Sequence, residues 1–205
     1  MKILIAVATS EEERELKSIR SDKHEIDIAV TGVGMVSTAH ELTKKLASKK
    51  YDLAINAGIA GSFDRSIAIG EVVYISQDIF SELGAEDDET FLPLAAIGLT
   101  GEDAFEPKAN EKFPSLNKYR NVRGITVNTV HGNEASIHKV IQRLKPEVET
   151  MEGAAFYFVC GKENVTAIQL RAISNYVERR NRDNWNIQLA LRSEQEAIKQ
   201  FINEI

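Results

Sequence analysis

Cysteine is nearly absent from this chain: Cys160 is the only one among 205 residues. A lone thiol cannot close an internal disulfide. Cys160 lies in an apolar run, reads as a small buried hydrophobe, and suits a reducing, cytoplasmic setting. Positive charge is not in excess either. With 25 Lys and Arg against 31 Asp and Glu, the formal net charge is −6, which offers no broad electrostatic footprint for nucleic acid or an anionic membrane. No window approaches the ~20 apolar residues of a membrane span. The N-terminal "MKILIAVATSEEE" has one lysine before an apolar run too short for a secretory leader, and three glutamates end that run. There is no GKS or GKT phosphate loop, no internal repeat and no linker. These absences leave a small molecule as the expected partner. A chain that is 43% apolar and 27% charged is expected to form one domain with one core over residues 1–205.

What is present is an alternation of short β-branched runs with segments of helical period, the pattern of an α/β fold. The runs predict strands at Ile3 to Ala8, Glu25 to Val30, Leu53 to Asn56, Glu71 to Phe80, Gly124 to Val130 and Val165 to Ile173. Val36, Ala39, Leu42 and Leu46 share one helical face, as do Ile137, Ile141 and Leu144, and Ile187 to Phe201 reads as a closing amphipathic helix. Ser81 to Arg120, richer in Pro, Asp, Glu and Asn, is expected to be an irregular insertion carrying part of a ligand site.

Three glycine-bearing turns are expected after strands: "TGVGM" (31–35), "NAGIAGSF" (56–63) and "MEGAA" (151–155). In open α/β sheets ligands bind at the carboxyl ends of strands, where glycine lets backbone approach them. Taken alone, each reads first as a plain tight turn, and "TGVGM" lacks the third glycine of a dinucleotide fingerprint. Glu11, Glu12 and Glu13 follow the first strand, where Ser10 is placed to cap a helix whose positive end suits acids. The same acids make the turn hostile to phosphate and favour water or hydroxyl groups there. Glu152 stands in the otherwise apolar "VETMEGAAFYFVCG", where an unpartnered charge would be costly, so it shifts its pKa, has a protein partner or meets a polar ligand. At the end of the last strand Ser174 and Asn175 present a hydroxyl and an amide. Asn175 could be a turn former, but an amide also offers a donor beside an acceptor, as the edge of a heterocyclic base requires.

Together, "ATSEEE", "TGVGMVSTA", "NAGIAGSF", "VETMEGAAF" and "RAISNYVERRNRDNWNI" resemble the purine nucleoside phosphorylase and nucleosidase superfamily, and within it the futalosine hydrolases of menaquinone biosynthesis. The resemblance runs from Met1 to the last helix. It implies a three-layer α/β/α fold around a mixed, partly closed sheet, a homodimer or larger homo-oligomer, and hydrolysis of an N-glycosidic bond without metal or organic cofactor. Futalosine would yield hypoxanthine and dehypoxanthinylfutalosine. By resemblance Glu152 binds the ribose hydroxyls and Met151 packs on the sugar, Glu12 deprotonates the attacking water, and Ile59, Ala60, Gly61 and Ser174 line the substrate site. Asn175 stands where adenine-specific nucleosidases carry an aspartate that protonates N7. An amide cannot supply that proton, so water or a relay through Ser174 is expected to do so while Asn175 holds the ring. Ile59 replaces a serine that supports the aspartate, and the two departures agree. Arg179, Arg180 and Arg182 are either a solvated basic stretch or a clamp for a substrate carboxylate. The alternatives are a methylthioadenosine/S-adenosylhomocysteine nucleosidase, which Asn175 disfavours; a phosphorylase, which the acidic first turn disfavours; and a nucleoside-binding protein without catalysis.

Overall fold

A computed structural model describes all residues, 1–205. Its sheet starts from β1 (Lys2–Val7), which pairs in parallel with β2 (Glu25–Val30) on one side and β3 (Leu53–Ser62) on the other. The two faces of β1 diverge because successive side chains point opposite ways. Ile3, Ile5 and Val7 pack with Leu16 of α1 (Ser10–Leu16) and with Ile198, Phe201 and Ile202 of α6 (Ile187–Glu204). Leu4 and Ala6 pack with Leu42 and Leu46 of α2 (Met35–Ser48) and with Phe156, Val159 and Cys160 of α5 (Gly153–Lys162). Helices therefore cover both faces, the three-layer α/β/α arrangement. Each fully buried Ile or Leu in these layers contributes about 1.5–3 kcal/mol. No helix is long and apolar enough to cross a membrane.

The rest of the sheet closes on itself. β10 (Thr166–Tyr176) runs parallel to β3 and antiparallel to β4 (Val72–Phe80); β4 runs parallel to β8 (Arg120–Thr126), β8 parallel to β9 (Val148–Thr150), and β9 returns antiparallel to β3. These strands form a ring with β1 and β2 as its open extension, which makes the sheet mixed and partly closed. Ala60, Val73, Val122, Val148 and Ile173, one from each ring strand, form one apolar cluster. Between β8 and β9 lies α4 (Glu134–Leu144), begun by Asn133, whose side chain accepts from the amides of Ala135 and Ser136.

Several elements differ from the sequence expectation. β3 does not turn at Asn56 but continues through "NAGIAGS" to Ser62. Its glycines are sites of close approach rather than turns: a Cβ on Gly58 would strike the Arg171 guanidinium, and one on Gly61 would lie 3.1 Å from Val177 and 3.3 Å from Asn175. β10 likewise continues past Ile173, with a bulge between Ile173 and Asn175, so Ser174 and Asn175 belong to the strand. The expected insertion contains a hairpin of β5 (Gly84–Asp87) and β6 (Thr90–Pro93), a two-residue strand β7 (Ala104–Phe105) on β4, and a short α3 (Ala109–Lys112).

Candidate active site

At the carboxyl ends of β1, β3 and β10 lies a cavity of about 350 Å³, bounded by Glu12, Ile59, Ala60, Gly61, Met151, Glu152, Ser174, Asn175 and Arg180 among others. Glu12 is delivered by the first turn of α1. Thr9, not Ser10, is the N-cap: its hydroxyl accepts from the Glu12 amide at 3.3 Å. Thr9 wins because its extended backbone leaves the hydroxyl level with that amide, and Glu12 folds back to complete a capping box. Glu12 Oε2 accepts from the amides of Ala8 and Thr9 at 3.0 and 2.9 Å and from the Thr9 hydroxyl at 3.0 Å. Oε1 is left for other work, while Glu11 is exposed and Glu13 pairs with Lys17 at 3.5 Å. Burial pushes the Glu12 carboxyl above its ordinary range, opposed by the Arg171 charge and the Thr9 hydrogen bonds.

Glu152 occupies the N-cap position of α5 and is 5% exposed. Its Oε1 accepts from the Gly34 amide at 3.1 Å, in the turn before α2, and its Oε2 stands 3.6 Å from Arg171 Nη2. The charge that looked anomalous in an apolar run thus has protein partners before any ligand arrives. Arg171 is the hub of this end. It is 1% exposed on β10, level with Gly58 of β3, and donates to the Asn56 side chain. A Cβ on Gly58 would strike the guanidinium and come 2.8 Å from Glu12 Oε1, so cation and carboxylate meet over the bare glycine. Beneath it Glu194 of α6, 1% exposed, accepts from the Gly58 amide, and burial, then the Glu12 charge, push its carboxyl well above the ordinary range. Arg171 faces Glu12 over Gly58 and Glu152 at 3.6 Å.

At the other end, the Ser174 hydroxyl lies 2.8 Å from Asn175 Oδ1 and 3.3 Å from the Ala60 carbonyl, and Asn175 Nδ2 donates to the Tyr176 carbonyl at 3.1 Å. The β10 bulge brings both side chains to the cavity, a common use of bulges. His131 and Glu149 also line it, with His131 Nδ1 2.7 Å from Glu149 Oε2. Of the three arginines in "ERRNR", only Arg180 reaches the cavity wall, its guanidinium 4.8 Å from the Trp185 ring. Arg179 and Arg182 are exposed and off the wall. No residue of the 81–120 insertion lines the cavity. The expectation that the insertion carries part of the site is thereby corrected: its β7 pairs with β4 and packs Phe105 against Phe80 and against Phe158 of α5, off the cavity wall. No group of His, Cys, Asp and Glu side chains is arranged to hold a metal ion.

Sequence reading missed Arg171, Glu194, His131 and Glu149. Arg171 carried the same signal as Glu152, a charge inside an apolar run, "AIQLRAIS". Glu149 did as well, in "VETMEG". Glu194 had none, since "RSEQEAIKQ" is rich in charge as any amphipathic helix is.

The profile of the Phosphorylase superfamily matches residues 6–205. The chain belongs to the phosphorylase superfamily. A futalosine hydrolase from Acidothermus cellulolyticus is 33% identical over 173 residues, 81% of this chain and 70% of that protein. Among solved structures, a 5′-methylthioadenosine/S-adenosylhomocysteine nucleosidase from Helicobacter pylori superposes with a TM-score of 0.84 at 16% identity, covering 100% of this chain and 99% of that one. A futalosine hydrolase from the same organism superposes with a TM-score of 0.82 at 15% identity, covering 100% and 98%. At such identities the two structures speak to the fold, which is that of this superfamily.

Proposed function

We infer that this superfamily member is a futalosine hydrolase, releasing hypoxanthine from the nucleoside by water. The observation that carries this reading is the convergence of Glu12, Glu152 and Arg171 at one end of a single cavity and of Asn175 and Ser174 at the other, in a chain 33% identical to a named futalosine hydrolase. Glu152 accepts from the ribose hydroxyls. Cleavage of the C1′–N9 bond builds positive charge on the sugar, and a fixed carboxylate stabilises that charge more as it grows, so its effect falls on the transition state. Glu12 Oε1 takes the proton of the attacking water, and Arg171, which meets that oxygen over Gly58, orients the water. A raised carboxyl pKa suits a general base, whose help is worth roughly 10²- to 10⁴-fold. Asn175 holds the purine edge, and Met151 packs on the sugar. Arg180, at the rim, faces the carboxylate of futalosine's 5′ substituent. Glu12, Glu149, Glu152 and Glu178 against Arg171 and Arg180 make the wall acidic on balance, which supports water over phosphate as the nucleophile.

The enzyme works as a single catalytic domain of residues 1–205 in the cytoplasm, as a homodimer or larger homo-oligomer, with neither metal nor organic cofactor. Val33 and Val130 at the cavity wall are exposed, and neighbouring Val36 is 82% exposed, which supports a partner subunit beside the mouth. The test is incubation with futalosine, inosine, methylthioadenosine and aminodeoxyfutalosine, with and without phosphate, following the free base. Hypoxanthine should appear from futalosine fastest and without phosphate. A phosphate requirement, or faster release of adenine, would overturn the reading.

A further inference from the structure

A purine leaves C1′ readily only if it gains a proton, and the groups assigned so far supply none. Glu12 is engaged with water and Glu152 with the sugar. Asn175 is an amide, and the Ser174 hydroxyl has only Asn175 and Ala60 as neighbours, neither of them an acid. Glu178 borders the cavity, but hydrogen bonds from Asn184 and Arg65 hold its carboxyl below the ordinary range, so it is anionic. Glu194 is buried beneath Gly58, off the cavity wall.

His131 and Glu149 remain. A carboxylate oxygen only accepts, so His131 Nδ1, 2.7 Å from Glu149 Oε2, carries a hydrogen, and the His131 amide donates to Oε1 at 3.1 Å. No protein atom engages Nε2. The Phe63 ring meets the imidazole edge-on at 6.1 Å between centroids and fixes its plane. The sheet places this pair opposite the base reader: Gly61 is level with Asn175 of β10 on one side and Glu149 of β9 on the other. A Cβ on Gly61 would lie 3.3 Å from Asn175 Nδ2 and 3.6 Å from the Glu149 side chain, so the two side chains converge over that glycine and the dyad adjoins the base reader at the cavity wall.

We propose that His131, oriented by Glu149, donates the proton that the leaving purine needs, a role that rests on the N-ribosyl hydrolase reading above. In this step His131 is protonated on both ring nitrogens, with Nδ1–H donating to Glu149. Nε2–H passes its proton to a ring nitrogen of the purine as the C1′–N9 bond breaks and its electron pair moves onto the base. Water bonds to C1′ and gives one proton to Glu12. Glu12 returns that proton to solvent and His131 regains one from it, so nucleoside and water become sugar and neutral purine.

The test compares inosine with p-nitrophenyl β-D-ribofuranoside, whose phenolate departs without a proton. His131→Gln should slow inosine hydrolysis by about 10²- to 10³-fold, the span of general-acid help, and the aryl riboside at most a few-fold. Glu149→Gln, which still accepts from Nδ1 but lacks the charge, should fall between parent and His131→Gln on inosine alone. Equal losses on both substrates would show that the dyad only staples the loop to β9 and would overturn the proposal, as would inosine turnover within threefold of the parent. Failure of the underlying hydrolase reading looks different: the parent itself would release no base.

Discussion

Replacing Glu152 with Gln separates the chemical role of this carboxylate from its structural one. Glutamine keeps the volume and a carbonyl to accept from the Gly34 amide, now 3.1 Å from Oε1. It removes the charge that faces the sugar cation. Two unit charges about 4 Å apart at an effective dielectric constant near 20 attract by about 4 kcal/mol, which at 1.36 kcal/mol per decade is roughly a 10³-fold fall in kcat. The structural cost is smaller. Arg171 loses an ion contact that is long, 3.6 Å, and keeps Asn56 and the Glu12 charge. A loss of about 1 kcal/mol corresponds to some 2–4 °C in Tm for a chain of this size. Initial rates on futalosine and inosine, with a thermal melt of the same preparation, measure both. A kcat within tenfold of the parent in a folded protein refutes the reasoning. So does a drop in Tm large enough that lost activity simply follows the lost folded fraction.

Asn175→Asp should shift the ratio of kcat/KM from futalosine toward aminodeoxyfutalosine by roughly 5- to 150-fold, the equivalent of a mismatched buried polar contact of about 1–3 kcal/mol. An amide matches N7–H beside O6, whereas a carboxylate repels O6. A ratio within twofold of the parent would show that Asn175 does not read the base. Arg180→Ala should raise KM for futalosine roughly tenfold and leave inosine unchanged, since a charge-assisted bond is worth about 1.5–3 kcal/mol, while Arg179→Ala and Arg182→Ala should leave both alone; equal effects on both nucleosides dispose of the carboxylate clamp. Asp78 is fully buried, accepting from Gln169 at 3.0 Å and Thr126 at 2.9 Å, and burial pushes its carboxyl up to about 6. Because the folded pKa lies above the unfolded value, its contribution is complete below about pH 4 and is lost as pH rises through about 6, a swing of about 3 kcal/mol for roughly two units. Urea unfolding of Asp78→Asn beside the parent should therefore show the variant gaining relative stability from pH 4 to 7, and a difference constant with pH would sink the account.

Local pattern alone located β1, β2 and β4, the amphipathic α2 and α6, and the acid at position 152, because β-branched runs, helical period and a charge in an apolar setting are all written within a few neighbouring residues, whereas only the family resemblance separated Glu12 from Glu11 and Glu13. The same locality misled where glycine was concerned. Gly58 and Gly61 looked like turn residues, yet they sit inside β3 with Arg171 above one and Asn175 and Glu149 beside the other. Whether a glycine bends the chain or makes room for a distant side chain depends on strands more than eighty residues away. β9, three residues long, has no period to read and exists because the ring must close between β8 and β3. The sequence by itself determined which residues carry charge, amide and hydroxyl, and which runs must be buried. Tertiary structure alone decided that Arg180 and not its neighbours reaches the cavity, that Arg171 meets Glu12 over Gly58 with Glu194 beneath it, and that Glu149 and Asn175 flank Gly61. These are partnerships across the closed ring, set by strand register and by the need to pair buried charges, and no stretch of chain contains both partners.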